Sequence, residues 1–226
     1  MAHRGASRAE RENTVAAFLR AAAMGADAVE LDVRRSADGC LVVHHDPQVV
    51  DGRVIVRTTR VELPAEIPTL DEALDACRGM WVNVEIKNDP NEADFDPTDD
   101  IAAMVADALR HRTEPGGFLV SSFRRETVDR FRRECPDIAT AWLTPGIAPD
   151  DMVATFAALA SDGHAAVHPW FGLVTRDFIE SAHGAGLMVN VWTCDDPVKM
   201  VELADYGVDG ICTNVPDIAL ATITPR

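Results

Sequence analysis

Short apolar runs recur through the whole of this chain, each separated from the next by a stretch of helical periodicity. They fall at Met1–His3, Ala28–Val33, Trp81–Ile86, Gly117–Ser121, Ala139–Leu143, Ala165–His168, Met188–Trp192 and Gly210–Thr213. Each is too short for a helix and the right length for a strand. Eight strands joined by helical crossovers predict an α/β fold with parallel pairing, closed into a (β/α)8 TIM-type barrel. An open doubly wound sheet is the alternative, because periodicity does not report closure. At 226 residues, the chain suits one barrel domain over 1–226, with no linker, repeat or low-complexity tract to divide it.

The intervening stretches carry helix signals. Val15, Phe18, Leu19 and Ala22 share a face behind Asn13 or Thr14 as the cap, and Thr69 with Glu72 forms a capping-box pattern. Ile101, Met104, Val105, Ala108 and Leu109 form another stripe, as do Met200, Leu203, Ala204 and Gly207. Leu41–His44 predicts an extra strand, turned back through Asp38-Gly39. Two long irregular stretches, about 46–68 and 88–98, read as loops of the kind that often carry function.

Polar residues gather where these strands end, which is where a barrel presents its chemistry. His3-Arg4, Glu85 and Lys87, Ser122, His168, Trp192 and Asn214 all fall there. Glu30 and Asp32 stand two apart in the second strand, so their side chains share one face. With Glu85 they make three inward carboxylates, which need a counter-charge to stay ionised together. All-oxygen donors of this kind suit one divalent cation, Mg²⁺ or Ca²⁺. The alternative is a set of salt bridges to Arg34, Arg35 and Lys87, with Arg34 on the same strand face as Asp32. His3 and His45 each end a strand and titrate near neutrality, as an acid/base pair requires. His44 points the other way and reads as structural, and simple hydrogen bonding accounts for Ser122 and His168.

Charge narrows the partners. Lys and Arg number 21 against 37 Asp and Glu, a formal net charge of −16. That balance argues against nucleic acid and anionic membranes, both of which are bound by neutralising phosphates. No apolar run is long enough to span a bilayer, no leader opens the chain and no basic amphipathic anchor is evident. The five cysteines show no metal spacing and mostly lie in apolar segments, as buried thiols in a reducing, cytoplasmic setting would. Oligomeric state is left open.

The segments "HRGASRAERENT" (3–14), "ELD" (30–32), "HD" (45–46), "EIK" (85–87), "SF" (122–123), "VWT" (191–193) and "DGICTNVP" (209–216) occur in this order. Together they resemble the glycerophosphodiester phosphodiesterase family, a TIM-barrel variant, from residue 3 to about 216. The resemblance implies Glu30, Asp32 and Glu85 as metal ligands, and His3 and His45 as general base and general acid. It also implies Arg4 and Lys87 as phosphate contacts and Trp192 as an apolar wall for the glycerol part. The implied reaction turns a small glycerophosphodiester into glycerol 3-phosphate and an alcohol. A lysophospholipase D-like or lyase-type enzyme on a monoacyl lipid, and a non-catalytic glycerophosphodiester-binding barrel, are the alternatives. Arg11 stands where the family usually has Pro, and Asn214 where it commonly has Asp. Only two residues precede His3, so a weakly formed first strand and a loosely held His3 are expected. The 46–68 insertion sits above the pocket in the family, which makes Arg53, Arg57 and Arg60 candidates for an anionic head group.

Overall fold

The computed structural model describes residues 1–112 and 117–223. Seven strands run parallel in a continuous ring: β1 (Ala28–Arg35), β3 (Trp81–Ile86), β4 (Phe118–Ser122), β5 (Ala139–Thr144), β6 (Ala166–Pro169), β7 (Met188–Val191) and β8 (Gly210–Ile211). The predicted first strand contracts to a single residue. Ala2 bridges Val29 on one side and Thr213 on the other, both parallel. Its backbone N–H donates to Ala28 O at 2.8 Å and its carbonyl accepts from Glu30 N at 2.9 Å. His3 N donates to Thr213 O at 2.9 Å. That short stave closes the sheet, so the TIM-type barrel stands and the open sheet does not.

β2 (Leu41–Val43) folds back antiparallel on β1, with Val33 opposite Val43. Gly39 at φ 80° supplies the left-handed turn between them. β2 lies outside the ring, and its end delivers His44 and His45 to the barrel mouth. The stretch after it builds a small core of its own from Val42, Val49, Ile55, Leu63 and Ile67.

The helices cover the outside of the barrel. α1 (Val15–Met24) starts at Thr14, whose hydroxyl accepts from Ala17 N, and stops at left-handed Gly25. α2 (Leu70–Ala76) begins with the reciprocal Thr69–Glu72 capping box. α3 (Asp100–Arg110), α4 (Arg125–Glu134), α5 (Met152–Ser161), α6 (Arg176–Gly184), α7 (Pro197–Tyr206) and α8 (Pro216–Thr222) follow. Val29, Leu31, Val33, Val84 and Ile86 point outward and pack with Phe18, Leu74 and Val105. Val167, Val189 and Val191 pack with Phe156, Phe178 and Met200. Apolar residues therefore take the outward parity of the strands, and the inward parity is left for Glu30, Asp32, Asn83 and Glu85. Among the described residues, no helix is long and apolar enough to cross a membrane.

Candidate active site

A cavity of about 190 Å³ opens at the C-terminal mouth of the barrel, walled in part by His3, Arg4, Glu30, His45, Glu85, Lys87 and Trp192. Asp32 lies just behind this wall, 1% exposed. The eight candidates from the sequence thus meet in one place. A larger cavity, about 740 Å³, lies at the opposite end and is lined mostly by apolar residues such as Trp81, Leu119, Met188 and Leu220. Size does not decide between them. Of these two, the smaller is the one on which the eight candidates converge.

Glu30 and Asp32 project inward from β1, and the parallel register sets Glu85 of β3 beside Asp32. One oxygen from each carboxylate lies within 4.8 Å of the others, and all three residues are buried. Two of their oxygens, Glu30 Oε1 and Asp32 Oδ1, accept no hydrogen bond among the described residues. Glu30 Oε2 accepts from the Arg4 backbone at 2.8 Å, and Asp32 Oδ2 from Asn13 Nδ2 at 2.7 Å. Arg4 and Asn13 both sit in left-handed backbone, at φ 57° and 55°. Such positions cost free energy in non-glycine residues and persist where surrounding contacts over-determine them. Here the contacts are with the carboxylates.

Burial, then the charges of Asp32 and Glu85, push the Glu30 carboxyl well above the usual range. Burial also raises Glu85, with Asp32 adding to it against the pull of Lys87. For Asp32 burial is outweighed by Lys87 and Arg4, which hold it below its ordinary value. Lys87 Nζ lies 2.9 Å from Glu85 Oε1 and 3.7 Å from Asp32 Oδ1, and Arg4 Nε lies 3.3 Å from Asp32 Oδ2. Three carboxylates against two cations leave one negative charge uncompensated when all are ionised. Two orphaned anionic oxygens beside a third carboxylate fit a divalent cation with oxygen ligands.

The salt-bridge alternative holds only for Lys87. Arg34, fully buried, turns away to Glu92 at 2.9 Å and Asp94 at 2.7 Å, and its Nε donates to His45 O at 2.8 Å. Arg35 reaches Asp96 instead, at 4.0 Å.

Each candidate histidine is anchored through Nδ1. His3 Nδ1 lies 2.7 Å from Asn214 Oδ1, and His45 Nδ1 lies 2.7 Å from Asp46 Oδ1. Among the described residues neither Nε2 has a hydrogen-bond partner. Burial, with Arg4 beside it, lowers His3 below the ordinary imidazole range. At the end of the short stave, His3 is tied through its backbone to Thr213 and through its ring to Asn214. His44 Nδ1 lies 2.9 Å from the Asp46 carbonyl oxygen, in keeping with a structural part.

The remaining wall is neutral. Trp192 Nε1 donates to His168 O at 2.8 Å, and its ring meets Phe123 edge-on at 5.2 Å. Burial drives His168 down to about 3, so the ring is neutral and accepts from Asn190 Nδ2 at 2.9 Å. Sequence reasoning gave Phe123, Asn190 and Asp46 no role, and saw Asn13 only as a cap. The inward parity of Asn190, two residues before Trp192, was the available signal. Arg53, Arg57 and Arg60 do not reach this cavity; Arg53 pairs with Asp51 at 2.6 Å on the surface. Arg11, in place of Pro, makes a surface pair with Glu66 at 2.8 Å.

The model of the glycerophosphoryl diester phosphodiesterase family matches residues 3–218. The Bacillus subtilis protein YhdW is 31% identical over 242 residues, covering 97% of this chain and 96% of its own. A glycerophosphodiester phosphodiesterase of Caldanaerobacter subterraneus is 28% identical, with 96% and 94% covered. Among solved structures, an Oleispira antarctica phosphodiesterase in complex with the product sn-glycerol-3-phosphate superposes with a TM-score of 0.88 at 26% identity, covering 98% of this chain and 94% of its own. The chain belongs to the glycerophosphoryl diester phosphodiesterase family.

Proposed function

We propose that this member of the family hydrolyses small glycerophosphodiesters to glycerol 3-phosphate and an alcohol, with one divalent cation, Mg²⁺ or Ca²⁺, held by Glu30, Asp32 and Glu85. The observation that carries the reading is the buried carboxylate cluster with two orphaned oxygens, flanked by two cations and two histidines anchored through Nδ1. The Oleispira neighbour, solved with glycerol 3-phosphate, supports the substrate class.

A divalent cation held by Glu30, Asp32 and Glu85 would supply Lewis-acid polarisation and would offset developing negative charge. Arg4 and Lys87 flank the phosphate and stabilise the same charge from the side. His3, lowered toward its neutral form, takes the proton of the attacking hydroxyl at Nε2. His45 gives a proton from Nε2 to the departing oxygen, with the Asp46 carboxylate behind it. The same pair serves attack by the glycerol's 2-hydroxyl, through a cyclic phosphate that water then opens, and direct attack by water. Trp192 and Phe123 cover the carbon side of the substrate.

The test is glycerol 3-phosphate release from a panel of glycerophosphodiesters with each cation. Release should stop on chelation, and His45→Ala should lower kcat by about 10²–10⁴-fold. A panel with no product overturns the reaction, and unchanged turnover in the variant removes His45 as the acid.

One observation favours a second reading, cleavage of a monoacyl lipid. Trp170 and Leu173, just after β6 on the mouth side, are 41% and 58% exposed, and Trp170 bridges Trp192. Comparing glycerophosphocholine with lysophosphatidylcholine separates the two, since faster turnover of the lysolipid would reverse their order.

A further inference from the structure

Behind His3 runs a chain of hydrogen bonds that the proton transfers do not themselves use. Asp195 lies between β7 and α7, Asn214 follows β8, and His3 ends the N-terminal stave. Three adjoining staves therefore meet at this point. Asp195 Oδ2 accepts from Asn214 Nδ2 at 2.7 Å, and its Oδ1 accepts from Asn214 N at 2.8 Å and Thr213 Oγ1 at 2.9 Å. On the far side of the amide, Asn214 Oδ1 accepts from Ser7 Oγ at 2.9 Å and lies 2.7 Å from His3 Nδ1.

We propose that Asp195 is a positioning residue: by claiming the amino end of Asn214 it turns the amide oxygen onto His3 and locks that ring as the Nδ1–H tautomer. The inference rests on His3 acting as the base. An amide has a donor end and an acceptor end and can flip, whereas an ionised carboxylate only accepts. With Asp195 in place, the donor end of Asn214 must face it and the oxygen must face His3. Ser7 Oγ, donating to the same oxygen, reinforces that choice. A ring nitrogen opposite a carbonyl oxygen must carry the proton, so the lone pair of His3 resides on Nε2, toward the cavity.

The arrangement differs from that at His45 in a way that suits two roles. His45 Nδ1 faces the Asp46 carboxylate directly, at 2.7 Å, so a full negative charge touches the ring. His3 faces only the dipole of an amide, and the carboxylate that orients it stands one residue further back. A base has to begin neutral with its lone pair aimed at the substrate. An oriented ring without a counter-ion in contact meets that need, while a ring against a carboxylate is suited to hold the proton it will donate. Asn214 in place of a carboxylate is therefore a working part of this chain's site, and Asp195 is what makes it work.

Three variants of the full chain test the proposal: Asp195→Asn, Asn214→Asp and the double exchange, assayed on glycerophosphocholine with saturating Mg²⁺. In Asp195→Asn the amide oxygen stays on Asn214 N and Thr213 Oγ1, so the amino end faces Asn214 and turns that amide's donor end toward His3; kcat should fall about tenfold with KM within about twofold. Asn214→Asp sets two carboxylates in contact and should fall by a similar factor. The double exchange again presents one acceptor to His3 and one donor behind it, so its kcat should exceed the product of the two single losses while staying below the parent, because a carboxylate now touches the ring. Parental kcat in Asp195→Asn, or single losses that simply multiply in the double variant, overturns the proposal. Long-range ¹H–¹⁵N spectra of the resting protein give a readout that does not depend on turnover. The Nδ1–H tautomer at His3 in the parent, lost or mixed in Asp195→Asn, supports the lock, and an Nε2–H parent ring overturns it. An Nδ1–H ring in a protein that cleaves none of the diesters supports the positioning and overturns the hydrolysis reading alone.

Discussion

Around the barrel mouth, the sector built by the N-terminal stave, β1 and β3 carries Arg4, Glu30, Asp32, Glu85 and Lys87. The opposite sector, built by β5, β6 and β7, carries Leu143, His168, Asn190 and Trp192. The first is crowded with buried charge and held by left-handed backbone at Arg4 and Asn13. The second is neutral even where a titratable ring is present, because burial alone keeps His168 uncharged. A cavity divided in this way offers charge to one part of a ligand and an uncharged wall to the other. It also separates two uses of burial: in one sector burial sharpens charge–charge interactions, and in the other it removes charge.

The largest effect should come from the charged sector. Glu30→Gln should abolish the calorimetric signal of Mg²⁺ or Ca²⁺ binding and cut turnover by about 10³-fold or more. The same variant should melt higher than the cation-free parent at pH 8, since it removes a buried carboxyl whose ionisation the fold opposes. Retained cation binding would erase the distinction between the sectors.

Next is Arg34, which lies on the charged side but binds no member of the carboxylate cluster. Arg34→Met strips Asp94 and Glu92 of their partner and frees the His45 carbonyl. About 3 kcal/mol or more of stability should be lost in urea melts, with cation affinity unchanged. A loss of cation affinity instead would enlarge the charged sector to include the 88–98 loop.

Trp192→Ala probes the neutral sector. KM should rise about tenfold with kcat within about threefold, the pattern of lost uniform binding. A fall in kcat at constant KM would mean that this wall takes part in the chemical step.

The smallest effect is the pH response of His168. The folded ring titrates at about 3, against roughly 6.5 in the unfolded chain. Between those values the unfolded state binds the extra proton, so stability is intact above about pH 6.5 and falls as the pH drops. His168→Gln should lessen the loss between pH 7 and 5.5 by about 1 kcal/mol in urea melts. His164, also kept neutral by burial, contributes the same sign in both proteins and cancels in the comparison. Equal slopes would show that the neutral sector is wetter than its burial implies.

The charged sector was the more legible in the sequence. Glu30 and Asp32 stand two apart in an apolar run, and strand parity alone sends both inward. Lys87 and Glu85 follow the same rule. His168 shared that parity and was set aside, since nothing local tells a neutral pocket ring from a satisfied core histidine. Arg34 illustrates the opposite difficulty. Its parity pointed it at the cluster, but its partners come from a loop about 60 residues later, and the nearer charge does not win when a better-fitting pair is brought in by folding. Arg53, Arg57 and Arg60 were suggested by the resemblance, which sets their insertion above the pocket; the insertion packs on a small core of its own, and none of the three lines the cavity.

What the chain determines by itself is the alternation of its elements and the face each strand residue takes, because side-chain parity, capping and turn chemistry act over a few neighbours. Closure of the ring through Ala2, the meeting of Asp195, Asn214 and His3, and the division of the mouth into two sectors belong to the tertiary structure. Each depends on groups about 20 to more than 200 positions apart in sequence, whose contacts no local periodicity encodes and which burial and charge sort only after the barrel has formed.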